Sequence, residues 1–365
     1  MAGPDPKDPT GKRRLGCAPG IATQDPALVA KFTGNSRQIA RTMLFVSQQV
    51  RTLMAEAGIQ RLRDVIGHRD LLEVKALHGK AAALDLPKLV SAPAARVQSR
   101  HYERQTARHL PQLRTEEINA ALRAIAGGTE TLDGQLSNRD RCVGVSAAGE
   151  IARQFGDLGL QNGGKLRYEH EGAAGHFYAA YAVEGMEFAI EGLVADSAFT
   201  AAYGGKLVIV PRRGTTGLTV AGNTFAYGAR GGKAYIAGRA GNRFGICLRK
   251  NHERGAPEIV VEGVEANGFQ YMTGGTVLVL GSVGPNLGSG MTGGEVFLLD
   301  ADEKMLNRDY VHALPLDDEA EATVRRLMES HVLETGSPLG TALLADFNPG
   351  RYRRVVTKLF PETLE

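Results

Sequence analysis

The sequence contains no tryptophan and only three cysteines among 365 residues. Cys17, Cys142 and Cys247 are odd in number and far apart, which excludes a disulfide framework and a zinc-finger spacing and predicts a reducing compartment. No apolar run approaches the roughly 20 residues of a membrane span. The opening MAGPDPKDPTGKRR has basic residues with no apolar stretch behind them. A cytoplasmic location without membrane association is therefore expected. A bias of charge is lacking too: 43 basic residues stand against 40 acidic ones, interspersed, for a net +3. Nothing in that balance predicts a nucleic-acid partner.

Glycine is abundant instead, with 46 residues, about an eighth of the chain. Many backbone positions must therefore need positive φ or close approach of another chain segment. From about Asp140 to Asp300 a unit recurs: Gly-Gly, a polar residue, then a short apolar run. It appears in YGGKLVIV from Tyr203, ARGGKAYIAG from Ala229, MTGGTVLVLG from Met272 and MTGGEVFLLD from Met291. The pairs begin at 204, 231, 274 and 293, so the steps are 27, 43 and 19, the middle one close to twice the last. A period near 20 with insertions predicts a solenoid of short parallel strands and tight corners rather than a sandwich of hairpins.

Helices are expected on either side. Asp25 and Pro26 open a short helix through Phe32, and Ser36 to Ala57 carries a buried stripe of Ile39, Met43, Val46, Val50, Leu53 and Met54, stopped by Gly58. Arg61 to Leu72 reads as another short helix, with Asp64 near its start. Residues 76–135 read as a linker arm with one good helix, Glu116 to Ala126. The end of the chain gives a helix from Asp317 and Asp318, with Val324, Leu327, Met328 and Val332 on one face and Gly336 as its stop. A last helix is expected from about Pro338 to Asp346. These C-terminal helices are expected to cover the open end of the solenoid, whose unpaired strands would invite aggregation.

Chemistry-bearing residues are sparse. His101 and His109 lack an acidic or thiol partner at ligand spacing, so no metal site is expected. GSVGPNLGSG lacks the strand-to-helix switch and the Gly-Lys-Ser/Thr of a phosphate loop and reads as repeat corners. Ser146 in VGVSAAGE has no triad partners that can be placed. Cys247, between Ile246 and Leu248, alternates like a strand residue and is not expected to be reactive. No catalytic residue is assigned.

The run GNTFAYGARGGKAYIAGRAGNRFGICLRKN, followed by VVEGVEANGFQYMTGGTVLVLGSVGPNLGSGMTGGEVFLLD, closely resembles the GXGXG domain of the glutamate synthase large subunit. CAPGIATQDPALVAKFTG resembles the point where that subunit's iron-sulfur cysteines end and the last helices of its flavin-binding barrel begin. ETGSPLGTALLADF resembles its final helical stretch.

The resemblance implies a mainly β fold with a helical cap, a right-handed parallel β-helix preceded and followed by α-helices. Its expected divisions are an extension at 1–16, a barrel-end helical segment at 17–75, the arm at 76–135, the β-helix at 136–312 and helices at 313–365. It implies glutamate biosynthesis, in which glutamine-derived ammonia combines with 2-oxoglutarate on a flavin-dependent barrel and the β-helix acts as a scaffold. In the family two further cysteines lie five and eleven residues before the one matching Cys17; here Lys12 and Pro6 stand there, and Ala2 follows Met1 where the amidotransferase has its cysteine. One thiolate cannot hold a cluster that needs three. Cys17 is thus a cofactor ligand only if another chain's cysteines complete an iron-sulfur cluster. The expectation is a non-catalytic subunit, with no cofactor of its own, beside a separate flavin-binding synthase chain (FMN, iron-sulfur) and an amidotransferase chain. The alternative is a reused structural or interaction protein, alone or self-associated.

Overall fold

The computed structural model describes residues 26–66, 68–76, 85–91, 112–212, 217–251 and 255–358. Cys17, His101 and His109 lie outside them, as does nearly half of the expected arm, 77–84 and 92–111. The chain divides into two compact units, Met1–Thr106 and Ala107–Glu365.

In the first unit α1 (Pro26–Val29) ends earlier than the sequence suggested, and α2 (Ser36–Glu56) matches it closely. Asn35 opens α2 through a capping box: its side chain accepts from Gln38 N–H, and the Gln38 side chain accepts from Asn35 N–H, both at 3.1 Å. The expected helix from Arg61 to Leu72 is instead two single 3₁₀ turns, Leu62–Asp64 and Arg69–Leu71. The β-branched pair Val65 and Ile66 followed by Gly67 is poor helix material. A short α3 (Leu86–Val90) completes the described elements of this unit. The stripe on α2 is amphipathic as expected but not buried: Ile39 is 67% and Leu53 63% exposed, and only Met54 is partly covered.

The second unit opens with α4 (Gln112–Ile125), β1 (Thr129–Leu136) and α5 (Val145–Phe155). Ala120, Ala121 and Ala124 of α4 and Ala147, Ala148 and Ile151 of α5 belong to its main core. Both helices therefore seal the first strands. Then follow β2 (Lys165–Ala174), β3 (Met186–Val194), β4 (Tyr203–Val210), β5 (Thr219–Ala221), β6 (Gly231–Ile236), β7 (Arg239–Ala240), β8 (Glu258–Val261), β9 (Thr273–Val279) and β10 (Gly293–Leu299). Strands β1, β2, β3, β4, β6, β8, β9 and β10 pair in that order, always parallel. Strand β8 fills the 43-residue step, so the missing repeat exists without a Gly-Gly pair. After β11 (Val311–Leu314), α6 (Asp318–Thr335) and α7 (Pro338–Ala345), strand β12 (Tyr352–Thr357) pairs antiparallel with β10 and β11, making the sheet mixed and unclosed.

From β4 onward both faces of the strands are apolar, which explains the unbroken runs LVIV, IVV and VFLL. Leu207, Ile209, Ile259, Val261, Val277 and Val279 enter the main core. Val208, Tyr235, Val260, Leu278 and Phe297 alternate with such residues on the outer face, beneath Ala320, Val324, Leu327 and Met328 of α6. The helix thus lies on the outer face and does not cap an open end. Glu258 holds it with two contacts from Arg326 at 3.1 and 2.6 Å, and Lys206 reaches Glu334 at 2.9 Å. Strands β2 and β3 lie outside this cover and keep polar outer residues such as Arg167, Glu169 and Glu187. Asp317 caps α6 by accepting from Ala320 N–H at 2.8 Å. Asp317→Ala is expected to lower stability by about 1 kcal/mol in urea unfolding.

The corners between strands are stitched by backbone. Six of them place alternate residues in the left-handed region: Phe177, Ala179, Tyr181; Ser197, Phe199, Ala201; Thr224, Ala226, Gly228; Arg243, Gly245, Cys247; Asn267, Phe269, Tyr271; and Asn286, Gly288, Gly290. In the second to fifth, the outer two N–H groups donate to the following corner and the middle one to the preceding corner, as in Ser197 to Asn223, Ala201 to Tyr227 and Phe199 to Tyr178. Cys247 is thus a corner residue and not a strand residue; its N–H donates to Gln270 O at 2.8 Å.

Candidate functional site

No group of three or more metal-binding side chains occurs among the described residues. No helix among them is long and apolar enough to cross a membrane. Ser146 lies in α5, and no side-chain hydrogen bond to it is found among the described residues. Burial pushes the Cys247 thiol up, against nucleophilic character. Ser337, His331 and Glu262 do meet, in an order that cannot serve a nucleophile. Glu262 sits in the middle, accepting from the Ser337 hydroxyl and lying 3.4 Å from His331 Nε2, while Ser337 Oγ accepts from Gly340 N–H at 2.9 Å. This cluster fastens the α6–α7 junction to the end of β8, and no histidine is hydrogen-bonded to the Ser337 hydroxyl among the described residues.

Two features remain that packing alone does not explain. The first is a buried polar group at the start of the strand stack. Glu117 on α4 is 2% exposed and accepts from Gly144 N–H at 2.6 Å. Burial outweighs that bond and the nearby Arg114 charge, pushing its carboxyl up to about 7. Burial, and after it the Glu117 charge, raises the phenols of Tyr168 and Tyr178. Tyr178 is hydrogen-bonded to His170 at 3.1 Å, and burial holds that imidazole down to about 4. Glu117 was not singled out from the sequence; the second glutamate of the pair Glu116–Glu117 in the first turns of a helix carries no signal of burial.

The second feature is the exposed face of α2. Ile39, Met43, Val46, Val50 and Leu53 recur by threes and fours, so they form one stripe along a helix of 21 residues. Arg37 and Arg41 fall on the opposite side at helical spacing, beside the exposed Leu44 and Phe45. An apolar stripe of this extent on a capped helix is the physical signature of an interaction surface.

The profile of the GXGXG motif family matches residues 114–362, and that of the conserved region in glutamate synthase matches residues 15–60. Over 353 residues the chain is 32% identical to ferredoxin-dependent glutamate synthase 2 of Synechocystis, covering 91% of this chain and 22% of that protein. It is 31% identical to the glutamate synthase [NADPH] large chain of Bacillus subtilis over 95% of this chain and 23% of that protein. For glutamate synthase [NADH] of Schizosaccharomyces pombe the identity is 31%, over 96% of this chain and 17% of that protein. The chain spans about a fifth of the length of these relatives. It belongs to the GXGXG motif family, and over nearly its whole length it is similar to one part of glutamate synthase large chains.

Proposed function

We propose that this chain is a non-catalytic scaffold subunit of a glutamate synthase-like assembly, docking through α2 onto a separate chain that carries the flavin-dependent synthase. On this reading the stacked strands wind as a right-handed parallel β-helix, and FMN and an iron-sulfur cluster belong to the partner, with Cys17 as a shared ligand if the partner supplies the other thiolates. Ammonia transfer to 2-oxoglutarate then takes place on the partner, in the cytoplasm. The observation that carries the proposal is the exposed stripe of α2, which lies within the residues matched by the glutamate synthase region. An isolated soluble helix gains little from such a stripe; it becomes stabilising only against a complementary surface.

The test is recovery of the tagged full chain from its native source, with mass spectrometry of what accompanies it and an absorption spectrum of the eluate. A flavin-bearing chain and yellow colour are expected. Val46→Asp with Val50→Asp should abolish that recovery while leaving the unfolding of the strand stack unchanged. A colourless preparation, alone or self-associated, would overturn the proposal and favour a reused structural protein.

A further inference from the structure

The Glu117 carboxyl group lies where a charge has almost no support. Its hydrogen-bond donor is one backbone amide, Gly144 N–H. From its own helix the charged neighbour is Arg114, whose pull is the weakest of the three influences on it. From α5 comes only that amide. From β2 comes the phenol of Tyr168, whose hydroxyl is buried without a hydrogen-bond partner. From the first corner comes the phenol of Tyr178, bonded to His170, and the carboxylates of Asp133 and Asp140 act on His170 rather than on Glu117. No ion pair to Glu117 occurs among the described residues. Ionising it therefore sets an uncompensated negative charge against two phenols and the alanines of two helices.

The same bond is a mechanical tie. Gly144 has φ of 87° and stands just before α5. The preceding residue, Val143, accepts from Ala179 N–H at 3.0 Å, the middle residue of the first corner. Glu117 thus joins α4, the start of α5 and the first corner of the stack at one point. Water can reach the charged carboxylate only if α4 moves away from that point.

We propose that α4 and α5 form a proton-controlled cap: with Glu117 neutral the two helices close the beginning of the strand stack, and with Glu117 charged they open more often and admit water to Tyr168 and β1. The closed cap holds the proton up to about pH 7, whereas an open one releases it at 4.5. Closure is therefore favoured at low pH and weakens as pH rises through that interval. The Glu117 share of the opening constant rises about tenfold between about pH 6 and about pH 8.5. His170 acts in the opposite sense, since its closed form resists protonation down to about 4, so the wild-type profile alone under-reports the effect.

Hydrogen exchange of the full chain, read by mass spectrometry and corrected for the intrinsic pH dependence of exchange, tests this in wild type and Glu117→Gln. Between those two pH values the ratio of wild-type to variant exchange in α4 and α5 should rise about tenfold, with β9 and β10 unchanged. Parallel pH profiles in the two proteins would overturn the proposal. If Glu117→Gln does not fold, carbon-13 titration of glutamate carboxyls in the wild type decides. One carboxyl titrating near pH 7 is expected, and the absence of any glutamate titrating above about pH 5.5 would overturn the cap as well.

Discussion

Replacing Gly192 with alanine is expected to cost more than about 4 kcal/mol in urea unfolding, a large part of the total stability of a folded domain. The residue has φ of 151°, and an added Cβ would lie 1.8 Å from the Gly172 carbonyl oxygen. That oxygen belongs to the neighbouring strand and cannot swing aside as a side chain would. Gly172 is held in turn, since its own Cβ would meet Leu136 O at 2.4 Å. Relief at one strand therefore shifts the one before it. Gly134 provides the control: φ is 142°, yet nothing stands within 4 Å of its added Cβ. Gly134→Ala should cost only the backbone penalty, about 1 kcal/mol, on the same urea assay.

Phe225→Ala is expected to lose about 3–5 kcal/mol, because the cavity has no route to collapse. The ring is fully buried and stacks on Phe244 at 5.2 Å and on Phe199 at 6.3 Å, and Phe244 meets Phe269 edge-on at 5.9 Å. Its neighbours Thr224 and Ala226 are both fixed in the left-handed region by bonds to adjacent corners, so the backbone cannot close the void. Denaturant unfolding followed by tyrosine fluorescence should show an earlier midpoint. A Phe225→Leu variant should recover more than half of the loss.

These two predictions mark what could and could not be read from the sequence. The Gly-Gly pairs announced β4, β6, β9 and β10 because glycine is the residue that lets one backbone lie directly on another, and the uneven steps even held room for β8. The corners were not legible. In the sixth, Asn286, Gly288 and Gly290 mark the left-handed positions; in the first, the same positions carry Phe177, Ala179 and Tyr181. Bonds from corner to corner impose a conformation that no local preference of phenylalanine or tyrosine would signal. The apolar runs were legible as strands, but their cause was not: α6, more than 50 residues downstream of β8, supplies the second buried face. For α2 neither partner nor place was legible. Its stripe predicted burial, and among the described residues Ile39, Met43, Val46, Val50 and Leu53 are exposed. Glu117 was invisible for the converse reason, a polar residue buried by tertiary packing alone.

Eight strands stacked in strict parallel order also make the second unit a ruler. Neighbouring strands are separated by about 4.8 Å, so seven spacings set the first and eighth strands roughly 34 Å apart. The graduation is coarse, because the stack can be lengthened or shortened only by a whole strand with its corner. It is also insensitive to loop length: Glu187, Lys206, Lys233, Glu258, Thr276 and Glu295 stay in register although successive members are 19, 27, 25, 18 and 19 residues apart. The longer steps take their extra residues between the paired positions and leave the divisions unchanged. Whatever is attached at its two ends is therefore held at a distance fixed by the number of strands, and drift in the sequence of the loops does not alter it.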